Sequence, residues 1–249
     1  MRRSLLATCT ALALLSRAAP AEASDPVELP AAVPANPNLF FHPAGPGRGR
    51  VAMALGLIFD EPLYSTQDFL PIVPQAEVRM RYGPPRGFSL VADFTTLFIQ
   101  NDLTMGVSWS TPLPELPRVA ATLKLSAGAL FGGLSGFGFE TFVISPELKP
   151  AVTIGWAMGD SIRFSISEEL TLSRWQMVAN GGSWATNELK SYFAASTSLF
   201  MVENLLARGG NIYFGAGAVV ARAPFSLWLL FSQQTTLILY PRLTGGYVF

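Results

Sequence analysis

Tyr240-Pro-Arg-Leu-Thr-Gly-Gly-Tyr-Val-Phe249 is the stretch on which the fold turns. In an extended strand, successive side chains point to opposite faces. Stepping back by two from the end places Phe249, Tyr247, Gly245 and Leu243 on one face, and Val248, Gly246, Thr244 and Arg242 on the other. The first face is aromatic and apolar, the second small and polar. An ordinary buried strand carries the same alternation, so the remainder of the chain has to decide what each face meets.

From Arg50 onward the sequence keeps a period of two. Val78, Met80 and Tyr82 alternate with Glu77, Arg79 and Arg81. Phe88, Leu90, Ala92 and Phe94 alternate with Ser89, Val91, Asp93 and Thr95, and Leu123, Leu125 and Ala127 with Thr122, Lys124 and Ser126. Ile162, Phe164 and Ile166 alternate with Arg163, Ser165 and Ser167. Turn formers separate these runs, among them Gly83-Pro-Pro-Arg-Gly87, Thr111-Pro-Leu-Pro, Ser145-Pro146, Gly159-Asp160 and Asn180-Gly-Gly182. The pattern predicts strands near 50–59, 75–82, 88–99, 103–110, 119–131, 136–145, 148–158, 161–173, 189–201, 211–221, 225–233 and 235–249. Repetition of this kind is the sequence signal of a transmembrane barrel. Twelve strands put the long 174–188 connection on the same end as the short turns, so one middle strand is expected to be spurious or split.

With Leu243, Tyr247 and Phe249 as its closing-strand signal, the chain resembles Gram-negative outer-membrane β-barrels, which typically end on an aromatic residue. That resemblance rests directly on about ten residues. It implies an all-β fold, a closed antiparallel transmembrane β-barrel of about 10–12 strands. Outer-membrane lipid and the cell's barrel-insertion machinery are the partners it implies, and the outer membrane is the location.

The start of the chain fits such a route. Residues 1–23 read as a secretory signal: Arg2 and Arg3 are the charged region, Leu5 to Leu15 the short apolar run, and Ala21-Glu-Ala23 the small-x-small cleavage site. Cleavage removes Cys9, the one cysteine, and leaves 14 basic against 16 acidic residues. The mature chain then has no disulfide, no thiolate metal site and no basic excess for nucleic acid. Apolar residues make up 50% and charged ones 14%, against about 25% charged in an average soluble domain. One apolar run, Ile212 to Phe231, is long enough for a membrane helix. Arg222 and Pro224 at its centre and the alternating Gly215 and Gly217 favour two strands instead.

Residues 24–49 form a separate, Pro/Gly-rich region with six prolines and three glycines. Proline lacks a ladder donor, so this stretch is expected to be extended and mobile, a flexible periplasmic leader before a barrel spanning 50–249. The sharper alternative is a docking segment that uses Leu39-Phe40-Phe41.

Catalysis finds little support. Outer-membrane barrels that act as enzymes use a histidine as general base. The single histidine, His42, precedes Pro43 in the leader and reads as a solvated linker residue. No catalytic residue, cofactor or metal site is expected; adjacent Glu168 and Glu169 face opposite sides of a strand. Glu168 shares its face with Ile166 and Leu170, so a bulge or a headgroup-level position is expected there. Gly215-Ala-Gly217 and Gly133-x-x-Gly136 read as small residues on closely packed strands, not as a phosphate loop.

The inward-facing charges are the candidate site: Glu77, Arg79, Arg81, Asp93, Lys124, Glu140, Lys149, Arg163 and Glu169. They either pair across the lumen and fill it or line a wet pore, where Arg79 and Arg81 on one face would favour anions. The first function expected is a small passive channel for polar solutes or ions. The alternatives are a non-conducting structural or surface-binding barrel with a salt-bridged lumen, and a secreted soluble β-barrel that binds an apolar ligand. Trp109, Trp156, Trp175, Trp184 and Trp228 fall near predicted strand ends, where headgroup-level rings belong. Oligomeric state and solute are not legible.

Overall fold

A computed structural model describes residues 39–43, 45–46, 48–60, 74–83, 88–113, 116–136, 139–189, 191–206, 209–222 and 237–249. The predicted signal segment 1–23, the leader up to residue 38, the strand predicted at 225–233 and Trp228 lie outside the described residues.

The chain forms β1 (Arg50–Asp60), β2 (Gln75–Gly83), β3 (Phe88–Thr96), β4 (Gln100–Leu113), β5 (Leu116–Gly136), β6 (Phe139–Met158), β7 (Ile162–Leu172), β8 (Trp175–Asn180), β9 (Ser183–Glu188), β10 (Phe193–Leu205), β11 (Asn211–Arg222) and β12 (Leu237–Val248). Ten of these close a barrel in the order β1-β2-β3-β4-β5-β6-β7-β10-β11-β12, and β12 pairs back onto β1. Every neighbouring pair is antiparallel. Tracing paired residues once round from Ala54 returns to the line of β1 about 12 residues displaced, a shear that tilts the strands by about 40°. The fold is therefore a closed all-β antiparallel barrel. Among the described residues no helix is long and apolar enough to cross a membrane, and 211–222 is a strand.

Closure depends on the stretch that opened the sequence reading. Val248 pairs with Ala54 and Tyr247 with Leu55, while Phe249 and Met53 exchange two backbone hydrogen bonds of 2.9 Å. Leu243, Tyr247 and Phe249 are exposed on the outer face, and Val248 and Thr244 are buried inside.

Ten strands close the barrel among the described residues, within the expected 10–12, and the map of twelve segments is adjusted in the middle. The segments expected at 136–145 and 148–158 are one strand, β6, running through Ser145-Pro146. Leu148 still pairs with Leu172 of β7, whereas Ile144 pairs with Met177 of β8. Pro146 falls in the gap between these partners, and its carbonyl there accepts the Ser173 hydroxyl at 2.8 Å. The missing proline donor thus faces the gap and costs no ladder bond to β5. The expected 174–188 loop holds the β8–β9 hairpin, closed by Gly181 and Gly182 at φ +54° and +85°. Positive φ at both turn positions is what a two-residue hairpin demands.

These two corrections restore the expected alternation of ends. One end carries the short connections 84–87, 114–115, 159–161 and 206–210. The opposite end carries the connections 61–74, 173–192 with its hairpin, and 223–236, together with the short connections 97–99 and 137–138.

Side chains sort by parity. On β1, Ala52, Ala54, Ile58 and Asp60 are buried inside, whereas Val51, Leu55, Leu57 and Phe59 are exposed outside. The same division runs round the barrel: Leu90, Met105, Leu125, Ile154, Ile166, Phe200, Phe214 and Leu239 stand on the exposed face. Apolar surface faces outward, and most ionisable groups of the barrel strands face inward. Trp109 and Trp156 lie toward the short-turn end, Trp175 and Trp184 at the other.

Candidate functional site

Ten strands enclose a lumen only slightly wider than the eight-strand case whose interior side chains fill. Here the filling is ionic. Lys124 of β5 reaches Glu169 of β7 at 2.6 Å and Asp93 of β3 at 3.4 Å, so it ties together strands on either side of its own neighbours. Lys149 of β6 pairs with Asp102 of β4 and with Glu147 at 3.0 Å. Arg242 makes a two-pronged contact with Asp60 at 2.7 and 2.8 Å, and Gln75 Nε2 donates to the same carboxylate at 2.9 Å. Glu77, 1% exposed, accepts from Tyr213 Oη at 2.5 Å, Thr244 Oγ1 at 2.8 Å and Arg79 at 2.7 Å. Carboxylates in such numbers stay buried because each has a cation or several hydrogen-bond donors.

Described residues line two small cavities, of about 120 and 130 Å³. The larger has Phe40, Phe41 and Arg81 in its wall; the smaller has Gln100, Asp102 and Lys149. Arg79, Asp93, Lys124 and Glu169 border both, so the Lys124 ion-pair layer is the septum between them.

Below that septum lies a segment of the chain itself. Leu39, Phe40 and His42 are 2%, 7% and 2% exposed. Glu203 of β10 accepts the N–H groups of Phe40, Phe41 and His42 at 2.9, 3.2 and 3.4 Å, and Asn211 Nδ2 at 2.7 Å. Arg81 of β2 donates to the carbonyls of Phe40, His42 and Pro43 at 2.9, 3.1 and 3.5 Å. Phe41 packs on Tyr213 with ring centroids 4.5 Å apart, and the Arg79 guanidinium lies 5.5 Å over its ring. Phe40 enters a cluster with Ala52, Ala54, Leu199, Met201, Tyr213 and Val248. Gly155 of β6 leaves a notch that admits Pro43 and the His42 ring; a Cβ there would meet both. Gly45, at φ +62°, passes against the Arg81 guanidinium, where a Cβ would lie 2.8 Å from Nη2.

His42 is thus corrected from solvated linker to buried lumen residue. Burial first, then the positive charges of Arg163 and Arg81, push its imidazole down to about 4. The sharper sequence alternative, docking through Leu39-Phe40-Phe41, matches these contacts, and the docking surface is the inside of the same barrel.

Of the predicted lumen charges, Glu77, Arg79, Arg81, Asp93, Lys124, Lys149 and Glu169 meet as described. Arg163 is 1% exposed but donates to the carbonyls of Gly159, Asp160 and Ile162, so it caps the β6–β7 turn. Glu140 is exposed and on outward parity, because β6 continues unbroken and carries the parity of Lys149 upward. The expected bulge at Glu168 is absent: it pairs in regular register with Val152 and Ser198, faces outward, and accepts the Ser196 and Ser198 hydroxyls. Gly217 faces the Ser198 carbonyl with no room for a Cβ, in keeping with close strand packing. Sequence reasoning missed Asp60, Asp102, Glu147 and Glu203, although each has the inward parity of its strand. Among the described residues no cluster of three His, Cys, Asp or Glu residues is arranged to hold a metal. No protein-family model matches the chain, and no curated protein matches it either.

Proposed function

We propose that this chain is an outer-membrane β-barrel of the Gram-negative type whose lumen is sealed: a structural or surface-binding barrel rather than an open pore. The observation that carries the reading is the reversed polarity of the barrel, apolar outside and ion-paired inside, with residues 39–43 seated in the turn-end half of the lumen. In lipid every backbone donor and acceptor needs an internal partner, and a closed barrel supplies it. A soluble barrel with an apolar ligand calls for the opposite arrangement of side chains. Short turns at one end and long connections at the other agree with a periplasmic and an outer side.

The contacts support sealing. Arg79 is neutralised by Glu77, and Arg81 is committed to three carbonyls, so neither is left to attract anions. A small channel is the second reading, favoured by the two cavities on either side of a single ionic layer. Conductance in a planar bilayer separates the two. Folded full-length protein is expected to give no discrete current steps at neutral pH; reproducible steps would replace the sealed reading with the channel. Protein that stays in solution without detergent would overturn the membrane assignment itself.

A further inference from the structure

Residues 39–43 are held chiefly by their main chain. Glu203 reads three successive N–H groups and Arg81, across the lumen, reads three carbonyls. These are groups that any peptide carries. Side-chain demands enter at three places: an aromatic ring in the Phe40 cluster, the Phe41 ring between Tyr213 and the Arg79 guanidinium, and a flat, Cβ-intolerant notch at Gly155 for His42 and Pro43. The segment adds no strand to the sheet, so its departure breaks no ladder bond of the barrel. A bent segment, turned at His42 to Gly45 and fixed by two opposed charges on a rigid wall, is a ligand in a site rather than part of the wall.

We propose that the turn-end half of the lumen is a peptide-binding site, that its ligand class is a bent, uncharged peptide with an aromatic residue three positions before a proline, and that residues 39–43 are its resident, displaceable occupant. The inference rests on the sealed-barrel reading for the occupant's role as a plug. It deepens that reading by making half of the seal exchangeable. A tethered occupant has an effective concentration of about millimolar, so wild-type protein refuses a competing peptide at micromolar levels.

The test uses the full chain throughout. A fluorescent peptide with the sequence of Leu39 to Pro46 is titrated against wild type and against the Phe40→Ala/Phe41→Ala variant, which weakens the occupant and leaves Glu203 and Arg81 in place. The variant is expected to bind at least tenfold more tightly than wild type. Adding Glu203→Gln to it is expected to weaken binding tenfold or more. A peptide methylated on the nitrogens equivalent to Phe40, Phe41 and His42 is expected not to bind. Equal binding to all three folded chains, or binding to none, overturns the proposal. A second measurement needs no variant: in wild type, the Phe40 to His42 amides are expected to exchange hydrogen at least 100-fold faster than those of β12. Exchange as slow as the barrel strands would make the segment a fixed part of the core. Silent bilayers with no peptide binding would sink this inference alone, whereas current steps from wild type would sink the sealed reading.

Discussion

The two halves of the lumen are filled by different means. Toward the long-connection end, side chains of barrel strands pair with one another: Lys149 with Asp102 and Glu147, and Arg242 with Asp60. Toward the turn end, Glu203 and Arg81 grip the backbone of residues outside the barrel wall. Charges paired within the wall stabilise the barrel's own shape. Charges turned on a separate segment instead make the filling depend on that segment, and a single substitution can empty the half they hold.

That asymmetry is sharpest at Glu203. Glu203→Ala removes three N–H bonds and the Asn211 contact at once, and charge-assisted bonds are worth about 1.5–3 kcal/mol each. The expected loss is at least about 3 kcal/mol of seating free energy, read as rapid proteolysis at residues 39–46 with the barrel intact. Acidification should act almost as strongly. Free of the lumen, the His42 imidazole has its ordinary value of 6.5; seated, it sits at about 4. Between these values the free segment takes a proton that the seated one refuses. Facing it are Arg81 of β2 and Arg163 of β7, which oppose the proton, and Glu203 of β10, which is already committed to three amides. The His42 contribution to seating is therefore constant above about pH 6.5 and weakens as the pH falls toward 4, with a loss of about 3 kcal/mol. Protection of residues 39–46 that does not change from pH 7 to pH 4 would break this account.

Smaller effects complete the comparison. Gly155→Ala places a Cβ against Pro43 and His42 and is expected to cost about 2 kcal/mol of seating, with urea unfolding of the barrel little changed. Lys124→Met leaves Asp93 and Glu169 facing each other. Because these groups are about one-fifth to one-quarter exposed, the expected loss is about 1–2 kcal/mol of barrel stability, less than for a dry pair, with seating unaffected. If it released the segment as readily as Glu203→Ala, the two halves would not be independent. Arg174→Ala breaks an exposed pair with Glu188 on the hairpin and should change unfolding by less than about 0.5 kcal/mol.

Parity was the most legible property of the chain. Glu77, Arg79, Asp93, Lys124 and Glu169 all occur on the polar side of clean alternations, and the period of two alone puts them inside. Glu140 failed because Ser145-Pro146 looks like a turn. Whether a proline breaks a strand depends on whether its missing donor faces a partner, and the partner switch from β7 to β8 is a long-range fact. The hairpin at 175–188 was hidden for a related reason: Asn180-Gly-Gly182 marks a turn, but Trp175-Gln-Met-Val lacks the alternation that marks a strand.

The sequence by itself determined the class of fold and which face of most barrel strands is apolar, since both follow from local periodicity and from the chemistry of Phe249, Tyr247 and Leu243. Only the tertiary structure decided what fills the lumen. Glu203 and Phe40 are 163 positions apart, and nothing in the local pattern of either shows the bond between them. A proline-rich segment reads as unstructured because it offers no ladder of its own. Its order comes from a carboxylate and a guanidinium that only barrel closure brings to face each other across the segment.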